Sequence, residues 1–293
     1  MRARLAILIA AAALAATQAT PAIAARSAAP AAAVSGEAVA QIQQAIDEQR
    51  LLDAARMLDT ALLSGAKDPR LALLNGDLSL ARASYGVALA NYKSVQDAPA
   101  TRAASLQGQG IALALMGRSG EALVALQSAV LENPGAWRAW SALGSEYDHR
   151  GQWAEAEDAY AHALAASPGA AMVLNNRGYS RLLQHKRTEA VADLVAALRK
   201  KPDFPEARTN LRLALAIGGD YDRAIAGGAP DDQAALLNNA GFAAGMRGDY
   251  AQAEDLLGRA IKVKSEYYAR AAENLKIVRA LAARSGAPAN AAP

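Results

Sequence analysis

A ruler of 34 residues runs through this chain and limits its possible folds more than any local motif does. Units counted from Ser35, Pro69, Ala103, Trp137, Ala171 and Pro205 place Ala54, Ala88, Ala122, Ala156, Ala190 and Ala224 at their twentieth position. Alanine is abundant here, so the larger residue four further on is the better discriminator: Leu58, Tyr92, Leu126, Tyr160 and Leu194. Glycine stands at the eighth position in Gly76, Gly110, Gly144 and Gly178, and Pro134, Pro168 and Pro202 close three consecutive units. A fixed period of this length marks one supersecondary unit that buries its apolar face only by stacking on its neighbours. With 53% hydrophobic but only 5% aromatic residues, the composition favours helices that pack on small side chains over a sheet of Val, Ile and aromatics.

Within a unit the glycine lies midway along a first helix, where it costs about 1 kcal/mol against Ala. That cost is tolerable if the partner helix approaches there at the small Ala, the Leu or Tyr filling the groove towards the next unit. Breakers fall where the paired helices turn, in "MGRSG", "HRGQW", "IGGDY" and "MRGDY". The ruler slips once. After "GGDYDRAIAGGAP" the second helix of the unit at Pro205 is cut to about two turns, ending at Gly227-Gly228. The next unit restarts five residues early at Ala234, with Gly241, Ala253, Leu257 and Ala260 in their places. The predicted units are therefore residues 35–68, 69–102, 103–136, 137–170, 171–204, a truncated 205–233 and 234–267. A charged helix over 268–284 caps the stack.

The stretch "AWSALGSEYDHRGQWAEAEDAYAHALAASP" carries Trp140, Leu143, Gly144, Tyr147, Ala156, Tyr160, Ala163 and Pro168. These residues resemble the tetratricopeptide repeat (TPR), a 34-residue helix–turn–helix. The resemblance implies an all-α fold, a right-handed α-solenoid of stacked TPR units.

Residues 1–24 read as a secretory signal: the positive "MRAR", an apolar run over residues 5–16, and a small-x-small site at Ala22-Ile23-Ala24. That run is too short for a membrane span. Residues 25–34 are expected as a flexible leader and 285–293 as a disordered tail. The expected location is the periplasm. There is no cysteine, so no lipid is attached through one, no disulfide supports the fold, and membrane association comes only through partners. Net charge is +3, with Arg2 and Arg4 inside the signal, which leaves no basic footprint for nucleic acid.

Two phrases repeat, "VLNNRGY" at 173–179 and "LLNNAGF" at 236–242. The sixth position of three successive first helices is Asn176, Asn210 and Asn239, beside Asn175, Thr209 and Asn238. One turn on stand Tyr179, Leu213 and Phe242. First helices are expected to line the concave face, so these nine residues form the predicted partner-binding groove. Helices pack about 8–10 Å apart and an extended chain advances about 3.3 Å per residue, so each amide meets every third peptide unit of a bound segment. Amides donate and accept together, which suits a backbone of any sequence. Alternatively, the asparagines bond only the preceding turn or a neighbouring unit.

Nothing in the sequence looks catalytic. His149, His162 and His185 lack carboxylate or cysteine partners at metal-ligand spacing. Ser145, Asp148 and His149 are near-consecutive on one helix and do not converge as a triad. Neither a metal nor a cofactor is expected.

The segment from "VLNNRGYSRLL" through "EAVADLVAAL" to "TNLRLALAIGGDYDRA" resembles the TadD proteins of bacterial tight-adherence (Flp) pilus systems. That resemblance implies an envelope adaptor for pilus secretion machinery, with a secretin or other assembly components as partners. The chain departs from the pattern in lacking a lipid-bearing cysteine and in continuing past the truncated helix. A general envelope peptide-binding protein, or an accessory subunit of an enzyme on another chain, fits the same residues.

Overall fold

The computed structural model describes residues 34–263 and 268–285. The expected signal, the leader up to residue 33 and the tail beyond Ser285 lie outside the described residues. All fifteen α-helices of the described residues follow in antiparallel succession, with no strand among them. Five full pairs come first: α1 (Gly36–Asp47) with α2 (Leu51–Leu63), α3 (Pro69–Ala81) with α4 (Tyr85–Lys93), and α5 (Arg102–Leu115) with α6 (Ser119–Glu132). Then come α7 (Trp137–His149) with α8 (Trp153–Ala166) and α9 (Ala171–Leu183) with α10 (Arg187–Lys200). The sixth pair is α11 (Pro205–Ile217) with a five-residue α12 (Tyr221–Ile225), shorter than the two turns expected. A 3-10 turn at Pro230–Asp232 leads into α13 (Gln233–Arg247), α14 (Tyr250–Val263) and the terminal α15 (Ala269–Ser285).

Each turn inside a pair closes on one left-handed residue at the fifteenth position of its unit. These are Gln49, Ala83, Gly117, Gly151, His185, Gly219 and Gly248, with φ between 56° and 91°. The left-handed residue lets the chain reverse within three or four residues. Ser35 caps α1 by accepting from the Ala38 N–H at 3.1 Å, and Asp68 caps α3 by accepting from the Arg70 N–H at 2.9 Å, with Pro69 opening the helix.

Successive first helices pack on one another along the whole stack, whereas second helices pack only on first helices. First helices therefore occupy the shorter, inner arc of the solenoid. The glycine of the eighth position faces the bulky residue of the twenty-fourth rather than the alanine of the twentieth. A Cβ on Gly144 would lie 2.8 Å from the Tyr160 ring, and one on Gly178 2.8 Å from Leu194. The same pairing joins Gly110 to Leu126 and Gly241 to Leu257. Glycine is thus kept because the large side chain lies across its helix backbone. Tyr92 and Tyr160 are buried to 1% exposure by this arrangement, and each hydroxyl must find an acceptor. Tyr92 donates to Asp77 at 2.7 Å and Tyr160 to Asp148 at 2.8 Å.

In the unit at Pro205 the pairing is inverted. Arg212 holds the glycine's position and Gly228 that of the large residue. A Cβ on Gly228 would strike Leu236 of the next unit, so α12 stops early and the chain passes close beneath α13. Behind this, α9 and α10 are tied by a buried ionic cluster. Asp193 accepts from Arg177 at 2.7 Å and Arg181 at 2.8 Å, and Arg181 also pairs with Glu157 of α8.

Candidate functional site

The first asparagine of each repeated phrase faces the following first helix. Asn175 is 7% exposed and Asn238 2%. Asn175 accepts from the Asn210 amide at 2.9 Å, and Asn238 accepts from Asn274 of α15, also at 2.9 Å. Each then donates to its own neighbour, Asn175 to Asn176 and Asn238 to Asn239, at 3.2 Å. Asn176 passes the chain on to the Ser141 hydroxyl of α7 at 3.2 Å. The phrase therefore repeats because it makes the same inter-helix clasp twice, α9 to α11 and α13 to α15. Asn274 was the missed partner, and its signal was its place 36 residues after Asn238.

The expectation of three equivalent open amides is corrected accordingly. Asn176 and Asn210 are half-buried with their amides engaged in this chain, and Asn239 alone of the three is exposed. The fifth position points at the next first helix, which places Asn238 in the wall between α13 and α15. The ninth position points inward to open space: Tyr179 is 43% exposed, Leu213 41% and Phe242 37%.

Two adjoining cavities lie along this inner face. The smaller, about 440 Å3, is lined by Asn175, Asn176, Tyr179, Thr209 and Asn210 together with Pro205 and Glu206. The larger, about 800 Å3, lies between α11 and α13. Its walls include Thr209, Leu213, Asn239 and Phe242, with Thr209 common to both cavities. Eight of the nine predicted residues thus line one continuous groove, and Asn238 does not. Sequence reasoning missed Ile217 and Met246, the apolar residues one turn beyond Leu213 and Phe242, and missed Arg212 and Arg247 at the same cavity. Arg247 bonds Asp249 at 2.9 Å. Asp249 also accepts from Tyr221 at 2.5 Å, and these two bonds, the tyrosine's first, hold its carboxyl below the usual range.

The groove offers amide and hydroxyl groups at one end and a deep apolar wall at the other. Among the described residues no group of His, Cys, Asp and Glu is placed to hold a metal ion, and no helix is long and apolar enough to cross a membrane. His185 occupies a left-handed turn, and His162 stacks on Trp140 with ring centroids 4.4 Å apart.

No family model matches the chain, and no curated protein matches it. Among solved structures, a chain of the APC/C hetero-tetramer Cut9–Hcn1 superposes with a TM-score of 0.62 at 15% identity. The match covers 82% of this chain but 48% of that one, so this chain spans about half its neighbour's length. TTC0263, a thermophilic TPR protein of Thermus thermophilus, superposes with a TM-score of 0.55 at 20% identity, over 61% of this chain and 97% of its own. The fold is a TPR solenoid. At these identities the likeness carries the TPR architecture and no more.

Proposed function

We propose that this protein is a non-catalytic interaction scaffold that binds a segment of a partner protein along the inner face of α9, α11 and α13. The observation that carries the reading is the pair of adjoining cavities, in which large apolar side chains stand exposed beside backbone-compatible amides. Exposed apolar area of this kind is stabilised by covering it. An inner face lined by first helices is also pre-formed, which lowers the ordering cost of association. The export signal at residues 1–24 and the resemblance of 173–224 to TadD proteins support a periplasmic adaptor in tight-adherence pilus assembly.

The test is a triple variant, Tyr179→Ala, Leu213→Ala and Phe242→Ala. These side chains are more than one-third exposed, so thermal unfolding should move by no more than a few degrees. Capture of envelope proteins by the immobilised chain from residue 25 onward should fall at least about tenfold. Enrichment of a secretin and pilus-assembly components by the parent, lost in the variant, supports the adaptor role. Undiminished capture by the variant refutes the groove, and capture of an unrelated protein through the groove refutes the pilus role alone.

A further inference from the structure

The larger cavity contains a charge that the TPR packing scheme does not require. Arg212 stands where five other units carry glycine at the helix crossing, in Gly76, Gly110, Gly144, Gly178 and Gly241. Arg212 is half-buried as a residue, and its guanidinium donates to the Ala226 carbonyl at 3.1 Å in an exposed bond. Among the described residues it has no carboxylate partner within ion-pair distance, unlike Arg177 and Arg181 one unit earlier. A guanidinium has five N–H donors, and one carbonyl leaves most of them for a ligand. Arg247 lies on the same cavity with Asp249 as its partner, and Asp232 is the cavity's one carboxylate. Around these sits the apolar wall of Leu213, Ile217, Phe242 and Met246.

The wider charge distribution agrees. Residues 35–170 carry ten Lys and Arg against fifteen Asp and Glu, net −5, whereas residues 171–285 carry eighteen against thirteen, net +5. The groove therefore lies in the positive half of a polarised solenoid. Resting on the scaffold reading above, we propose that the groove selects an acidic, apolar segment of a partner protein. One bulky apolar side chain of that segment enters the cavity between α11 and α13, and an Asp or Glu within two or three residues of it pairs with Arg212. The Thr209 hydroxyl and the Asn210 side-chain oxygen lie further along the same path and take the segment's backbone, while the Asn176 amide stays in the clasp.

Peptide phage display against the chain from residue 25 onward tests this, followed by fluorescence anisotropy with one labelled synthetic peptide of the most enriched sequence. Enriched sequences should place Asp or Glu next to Leu, Ile, Met or Phe. Exchanging the peptide's carboxylates for Asn or Gln, which leaves the protein untouched, should weaken binding about tenfold or more. Arg212→Gln should cost a similar factor, and the amide peptide should lose little further on that variant, because the two changes remove one interaction. Enriched peptides that are neutral or basic, or an amide peptide that binds as tightly as its acidic parent, overturn the proposal and leave the scaffold reading standing. If no peptide is enriched, or if enrichment survives Leu213→Ala with Phe242→Ala, the groove reading fails and the acidic segment fails with it.

Discussion

Three turns of this solenoid ask an ordinary residue to do what glycine does without strain. Gln49, Ala83 and His185 are left-handed at the position where Gly117, Gly151, Gly219 and Gly248 serve the other units. A Cβ in that conformation costs roughly 1–2 kcal/mol, partly offset by the greater entropy glycine loses on folding. Ala83→Gly and His185→Gly should each therefore stabilise the chain by about 0.5–1 kcal/mol, read as higher urea midpoints at unchanged m-value. A lower midpoint for both would show that the turns carry no such strain. These positions were only partly legible in the sequence. The glycine-bearing turns announced themselves in "MGRSG" and "HRGQW", but nothing in "LLQHKR" marks His185 as left-handed except its register against them. The same limit applied to the asparagines. Their residue type and register were plain, yet whether an amide faces a neighbouring helix or the groove is decided by about one position of helical phase. Asn238 went to the wall and Asn239 to the surface on that basis.

At the level of the helix pair, a tyrosine in the twenty-fourth position brings a carboxylate inward with it. Burial raises the Asp77 carboxyl above its ordinary 3.8, although the Tyr92 hydroxyl bond and Arg138 oppose the rise. Asp148 is displaced the same way, again chiefly by burial. A carboxyl raised in the folded state binds more protons there than in the unfolded chain, so its contribution to stability is greatest in acid and declines as pH rises from the unfolded value through the folded one. Asp77→Asn keeps an acceptor for the Tyr92 hydroxyl and removes the charge. The variant should therefore gain on the parent as pH rises from the unfolded value of 3.8 through the raised folded one. A pH-independent difference in urea midpoint would show that Asp77 does not titrate through α3 and α4. The helices themselves were legible throughout, because glycine at eight and a large residue at twenty-four fix which faces meet. The inversion at Arg212 and Gly228 stands in the sequence as a departure from that rule, but sequence reasoning missed it. Its consequence, a cavity beside a five-residue α12, was not legible, since it depends on how far α13 closes in.

Across the whole molecule the buried core is divided rather than continuous. One apolar cluster runs unbroken from Leu215 on α11 to Val278 on α15. Towards the N-terminus, α1 to α3 share another around Leu58, Leu71 and Leu74. Between α9, α10 and α11 the buried apolar cluster shrinks to Leu174, Ala197 and Ala207. A stacked repeat is stabilised chiefly by interfaces between neighbours, so this junction is where the stack should divide. Across it runs the Asn210-to-Asn175 clasp, worth about 1 kcal/mol as a single hydrogen bond. Hydrogen exchange followed along a urea series should then show α13 and α14 losing protection at a different midpoint from α5 to α8. Asn210→Ala should widen the separation, because it weakens the junction and leaves both blocks intact. Coincident midpoints in parent and variant alike would mean that the solenoid unfolds as one unit despite its divided core. The groove straddles this junction, with Tyr179 on one block and Leu213 and Phe242 on the other. A segment bound along it touches both blocks, so occupancy should draw the two midpoints together in the same experiment.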